Sequence, residues 1–238
     1  MRRTLDAIEA HVAAIRDYQP ELRVIATSAL RRADNAGKFA EAVREVAGVP
    51  LEIISGEEEA RCSYEGAVAG SPGEQSYGVL DVGGGSTEYA TRDAYTSFEI
   101  GAVRLTERFP ELRGVAGADE IDAARAYVRV QIEGLQDSMK VDRVIMVGGS
   151  ATTACAVISG GWTEFPTMLL RRDALPQLIE RLASLPLEKR KELRGVPAQR
   201  ADILLAGALI LDEACALTGH SEALVSTNDL LLGYLLRH

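Results

Sequence analysis

The chain is poor in the residues that mark several common chemistries. Its three cysteines, Cys62, Cys155 and Cys215, are scattered and lack paired spacing, so neither a disulfide framework nor a zinc site is indicated. They read as buried filler. The three histidines are equally spare: His11 falls in a helical pattern, His220 in a turn and His238 at the chain end. None stands beside a glycine-rich segment, which argues against a histidine-based mechanism. No apolar run reaches the roughly 18 residues of a membrane span, and the opening "MRRTLDAIEAHVAAIRDYQ" has helical rather than signal-peptide patterning. A cytoplasmic protein without a membrane partner is expected. Positive charge is also in deficit, and a formal net charge of −9 argues against a general nucleic-acid binder. It leaves open a local pocket that takes phosphates.

What is present is a globular composition, 47% hydrophobic and 26% charged over 238 residues, enough for one large or two modest domains. Leu5, Ile8, Val12 and Ile15 recur at helical spacing. "LRVIATSAL" then reads as a strand ending near Thr27, with "SALRR" in a loop. Asp34 or Asn35 is placed to cap a helix that carries Phe39, Val43 and Val46 and ends at Gly48. "VPLEIIS" is a strand, and Gly56 opens a helix whose first turn holds Glu57, Glu58 and Glu59. "GSPGEQS", from Gly70 to Ser76, reads as a linker and as the domain boundary. Beyond it, three strands suggest an antiparallel meander. A long helix through Ile121, Ala124, Val128 and Ile132 follows. "DRVIMVGGSATTACAVI" is a strand, a small-residue turn and a helix. After helical segments, "EALVSTNDLLLGYLL" closes the chain as a strand-helix unit. The run "EKRKELR" reads as a solvated helix face. Alternating strands and helices indicate α/β layering.

"YGVLDVGGGSTEYA", from Tyr77 to Ala90, carries the most chemistry. A short buried strand runs into Gly83, Gly84 and Gly85, which take positive φ without steric cost and let backbone N–H groups approach a ligand. Asp81 and Glu88 flank that turn, and two carboxylates repel a phosphate unless a divalent cation lies between them. The alternative is a tight hairpin whose glycines merely make the turn. The second loop, at Gly148, Gly149 and Ser150, leads a buried strand into a helix N-terminus, where unpaired N–H groups and the helix dipole favour an anion.

Taken in order, "VIATSALR", "EIISGEEEAR", "LDVGGGSTE", "IGAVRLTERF", "VIMVGGSATT" and "QRADILLAGALIL" resemble the exopolyphosphatase and guanosine pentaphosphate phosphohydrolase (Ppx/GppA) family from about Leu22 to Tyr234. The resemblance implies an actin-like α/β protein of the sugar-kinase and heat-shock-protein superfamily, with two RNase H-like domains. These are expected at 1–70 and 71–225, with 226–238 a C-terminal helix packing back on the first. It also implies magnesium-dependent hydrolysis of terminal phosphoanhydride bonds in polyphosphate or guanosine pentaphosphate, without choosing between them, and a homodimer.

Carried onto this chain, the family's catalytic glutamate falls on Glu59 and the acidic residues of its phosphate loop on Asp81 and Glu88, the expected metal ligands. Phosphate contacts fall on Gly83, Gly84, Gly85, Ser86, Gly148, Gly149 and Ser150, and Arg31 matches the arginine of "TSALR". A surface ion pair is the other reading of Arg31, and Glu57 and Glu58 read as helix-start residues. Family members begin with a strand, a phosphate loop and a second strand that have no counterpart here, which implies an N-terminally truncated first domain. Thr227 and Leu231 stand where the family has an acidic residue and an arginine. A noncatalytic phosphate or alarmone binder is the rival reading, and a sugar or acetate kinase a weaker third.

Overall fold

The computed structural model describes residues 1–69, 71, 75–138, 141–162 and 167–238. They form two compact units, Met1–Gly56 and Glu57–His238. The first contains α1 (Arg2–Ile15), β1 (Val24–Ala26), α2 (Ser28–Arg31), α3 (Ala36–Ala47) and β2 (Leu51–Ile53). β1 and β2 pair in parallel, Val24 opposite Leu51 and Ala26 opposite Ile53. Parallel neighbours need a crossover, and α3 supplies it. Asn35 takes the N-cap position of α3 without a side-chain bond, and Gly48 ends the helix in the left-handed region at φ 74°, where a side chain would be strained. Ser28–Arg31 is a helical turn rather than the expected loop, because the N–H groups of Leu30 and Arg31 both reach the Thr27 carbonyl.

The second unit contains, in chain order, α4 (Gly56–Val68), β3 (Tyr77–Val82), β4 (Thr87–Ala90), β5 (Tyr95–Phe98), α5 (Ala102–Arg108) and α6 (Ala118–Gln131). There follow β6 (Arg143–Val147), α7 (Gly148–Ile158), β7 (Thr167–Arg171), α8 (Ala174–Ala183), α9 (Leu187–Lys191), α10 (Leu204–Thr218), β8 (Glu222–Ser226) and α11 (Leu230–Arg237). The strands form one mixed sheet in the order β5-β4-β3-β6-β8-β7. β3 to β5 make the antiparallel meander expected from the sequence, and β6 and β8 continue the sheet in parallel with β3. This is the strand order of an RNase H-like sheet, with β7 added antiparallel at the edge. β7 is not legible in the sequence, since a short apolar run without a helical or alternating period fits either element.

Side chains alternate between the two faces of a sheet, and here the two faces meet different helices. Leu80, Val82, Tyr89, Val144, Met146 and Val225 enter the main core with residues of α6, α7, α8 and α10. Tyr77, Val79, Ile145 and Val147 lie on the other face, against Ala67, Tyr64 and Val68 of α4. Packing therefore joins α4 to the second unit, whereas the sequence puts the division at Gly70–Ser76, a linker most of which lies outside the described residues.

Charge inside this unit is handled by partners the sequence does not announce. On the apolar helix α10, Asp212 and Glu213 are buried. Arg125 of α6 bonds them at 2.5 and 2.7 Å, and Arg129 bonds Glu213 at 2.5 Å. The "EKRKELR" run is solvated except at Leu193, which packs partly buried against the main core, and at Arg190, which is fully buried. Its guanidinium donates to the carbonyls of Leu182 at 2.8 Å, Leu185 at 3.1 Å and Leu112 at 2.6 Å, and also to that of Gly114. Burial with carbonyls alone as partners lowers its pKa to about 10. The cysteines Cys62, Cys155 and Cys215 are free and buried, as expected. No helix among the described residues is long and apolar enough to cross a membrane.

Candidate active site

Strand parity builds the site. Asp81 shares its face with Tyr77 and Val79, so it points to the side covered by α4. In the hairpin register Asp81 lies directly opposite Glu88, and Glu88 directly opposite Ser97 of β5. Directly opposed residues project to the same side, their β-carbons about 5 Å apart, and like charges so placed repel. α4 adds two groups from one stripe, since Glu59 and Ser63 are four residues apart. Ser63 Oγ donates to Asp81 Oδ2 at 2.8 Å and Ser97 Oγ to Glu88 Oε1 at 2.7 Å. The acidic triplet is thereby divided: Glu57 is exposed and Glu59 is buried.

The electrostatics follow. Burial pushes the Asp81 carboxyl up to about 6, against the bond from Ser63, and the charges of Asp229 and Glu59 push the same way as burial. Glu88 is pushed up to about 8, by burial first, then by Glu59 and Asp81, with bonds from Ser86 and Ser97 opposing. Burial and neighbouring carboxylates thus both disfavour the ionised forms of Asp81 and Glu88.

The first loop, Gly83–Ser86, closes on itself with Gly83 N–H donating to Ser86 O at 3.0 Å. Its next partners are on α5: Ala102 N–H donates to Gly83 O and Val103 N–H to Gly84 O, both at 2.9 Å. A planar trans peptide sends its N–H opposite to its C=O, so the N–H groups of Gly84 and Gly85 are directed away from α5, as an anion requires. None of Gly83, Gly84 and Gly85 has a positive φ, contrary to the expectation. The glycine that close approach demands is Gly101: a β-carbon there would stand 2.5 Å from the Gly84 carbonyl, whereas one on Gly84 would meet only the Val103 side chain, at 3.2 Å. The left-handed glycine is in the second loop, where Gly148 has φ 81°.

Gly148 turns β6 directly into α7, and its missing side chain leaves room for Asp81 Oδ1. The N-terminal N–H groups of α7 thus open beside that carboxylate, at the end of the helix that favours anions. The place of a side chain on Gly149 is taken by the Arg200 guanidinium, a site neighbour that sequence reasoning misses although it stands second in the quoted "QRADILLAGALIL". Ser150 is buried, with its hydroxyl against Gly207 of α10. Ser86 is buried too. Arg31 lies in the first unit, where Nη1 donates to Ile54 O at 3.2 Å.

The Ppx/GppA phosphatase family model matches residues 1–227. The chain belongs to that family. It is 27% identical to the Aquifex aeolicus Ppx/GppA family member, over 99% of this chain and 80% of that one, with a TM-score of 0.80. An exopolyphosphatase-like protein is 25% identical, over 99% of this chain and 83% of its own, with a TM-score of 0.89. An exopolyphosphatase from Cytophaga hutchinsonii, 21% identical with a TM-score of 0.89 over 99% of this chain and 80% of its own, shares the fold. Membership makes the actin-like α/β fold and the phosphatase class findings.

The chemistry of the donors fits a divalent cation. Asp81 and Glu88 offer hard carboxylate oxygens, opposed in register, whose mutual repulsion a positive ion would relieve. Among the described residues no three His, Cys, Asp or Glu side chains form a ready metal cage.

Proposed function

We propose that this chain hydrolyses the terminal phosphoanhydride bond of inorganic polyphosphate or guanosine pentaphosphate, releasing phosphate, with magnesium as its cation. The observation that carries the reading is the register pairing of Asp81 with Glu88, on the sheet face to which α4 brings Glu59. In this reading Asp81 and Glu88 hold the cation, which supplies charge neutralisation to the transferred phosphoryl group. Glu59 orients a water and takes its proton at a carboxylate oxygen. The water oxygen bonds to phosphorus as the bridging P–O bond breaks, and the shortened chain leaves with that electron pair. The N–H groups of Gly84, Gly85 and the start of α7 bind phosphate oxygens, and Arg200, over Gly149, adds a fixed positive charge.

The test is phosphate release from tripolyphosphate and from guanosine pentaphosphate, with magnesium and with a chelator. Glu59→Gln is expected to lower turnover by about two to four orders of magnitude, as for loss of a general base, with little change in substrate affinity. Glu58→Gln is the control for one lost charge at the start of α4, an effect of about 0.3–1 kcal/mol. Equal, modest losses in both variants refute the base role. Tight magnesium-dependent binding without turnover in the unsubstituted protein hands the site to the noncatalytic rival.

A further inference from the structure

One buried hydroxyl is spent on this site although its own helix offers an acceptor. Ser63 stands inside α4 and is only 1% exposed. A helical serine or threonine can bond the carbonyl four residues back, as Thr106 does to Ala102 O at 2.7 Å and Thr152 to Gly148 O at 3.0 Å. Ser63 instead reaches across to the sheet and donates to Asp81 Oδ2 at 2.8 Å. A close crossing with α11 holds α4 in that place. A side chain on Gly66, one turn beyond Ser63, would run into the Asp229 carbonyl oxygen, and one on Gly233 into the Cys62 carbonyl oxygen. The two oxygens of Asp81 thus have different surroundings. Oδ2 carries the Ser63 hydroxyl, while Oδ1 lies in the space left by the missing side chain of Gly148, where α7 begins.

That division bears on which cation the carboxylate can serve. Calcium takes about 6–8 oxygen ligands in flexible geometry, bidentate carboxylates among them, whereas magnesium demands a near-ideal octahedron and keeps several of its waters. Discrimination between the two depends on ligand number and on how freely a ligand can turn. We infer that Ser63 is a positioning residue: it fixes the Asp81 carboxylate with one oxygen presented, and so makes the site prefer magnesium to calcium. A cation that takes both oxygens must displace the Ser63 hydroxyl, and one that takes Oδ1 alone leaves that bond intact. Glu88 carries a like bond, from Ser97 Oγ to Oε1 at 2.7 Å. The inference rests on the reading above in requiring a divalent cation at Asp81. Partners that orient or hydrogen-bond the ligands of a metal typically change its affinity about 10–100-fold when removed.

The experiment is calorimetry of Mg2+ alone and of Ca2+ alone on the unsubstituted chain, Ser63→Ala and Ser63→Thr, with melting followed in chelator. Alanine removes the donor and suits a helix interior, while threonine keeps the hydroxyl. The unsubstituted chain is expected to bind Mg2+ more tightly than Ca2+. In Ser63→Ala the expected result is Mg2+ affinity about 10-fold or more weaker with Ca2+ affinity equal or higher, and Ser63→Thr keeps the parent's preference. A hydrogen bond that serves the fold alone cannot do this, since its loss lowers melting and weakens both ions alike or neither. Equal changes for the two ions in Ser63→Ala, or none, overturn the inference, as does an unsubstituted chain without the preference or a folded Ser63→Thr that loses it. If threonine does not fold, Ser63→Ala decides by itself. Failure of the cation reading has a separate signature: the unsubstituted chain then binds neither ion, and the inference falls with it.

Discussion

Glu88 makes the metal-free protein sensitive to pH in a direction that can be worked out. Its carboxyl is buried, faces Asp81 across the hairpin and is raised from 4.5 to about 8. The folded state therefore binds this proton more tightly than the unfolded chain. That contribution to stability is complete below about pH 4.5 and is lost as pH rises through about 8. At about 1.4 kcal/mol per unit, the change is on the order of 5 kcal/mol. The charges of Glu59 and Asp81 both contribute to the shift, so the loss is not that of Glu88 alone. Urea denaturation in chelator, followed by circular dichroism between about pH 5 and pH 8, should show stability falling with pH. Glu88→Gln keeps an acceptor for Ser97 but cannot ionise, so its slope should be shallower and its stability near pH 8 higher than that of the parent. Magnesium near pH 8 should stabilise the parent more than the variant. A Glu88→Gln protein that tracks the parent's slope, or is less stable near pH 8, refutes this account of the site.

The loops and the buried arginine give further tests. Gly84→Val should weaken tripolyphosphate binding at least about 10-fold in calorimetry with little loss of fold, because Gly84 is exposed and only Val103 stands in the way; outright unfolding would make the glycine a turn-maker only. Gly149→Val should weaken binding by displacing the Arg200 guanidinium, so Arg200→Met should reproduce much of its loss, and full affinity in Arg200→Met would refute that route. Arg190→Met should lower stability in urea titrations by about 3 kcal/mol, since it strands the carbonyls of Leu112, Gly114, Leu182 and Leu185; a loss under about 1 kcal/mol would show that water replaces the guanidinium readily.

Much of the molecule is written locally. The period of Ile121, Ala124, Val128 and Ile132, the glycine that ends α3 and the small residues that turn β6 into α7 specify helix, stop and loop from neighbouring residues alone, because sterics and hydrogen bonding at those points involve only a few positions. The same holds for the succession of motifs that identifies the family and singles out Glu59, Asp81 and Glu88. What the sequence does not carry is which faces meet. A period of two says that Asp81 and Val79 share a side of β3, but only the sheet register sets Glu88 opposite Asp81, and only packing lays α4 on that side with Ser63 in reach. The difference between buried Arg190 and its solvated neighbours, the seat of Arg200 on Gly149, and the close crossing of α4 and α11 at Gly66 and Gly233 depend likewise on residues distant in the chain. Local pattern determines the elements and their chemistry, while tertiary packing decides which charges share a space, because electrostatic coupling depends on distance and burial rather than on sequence separation.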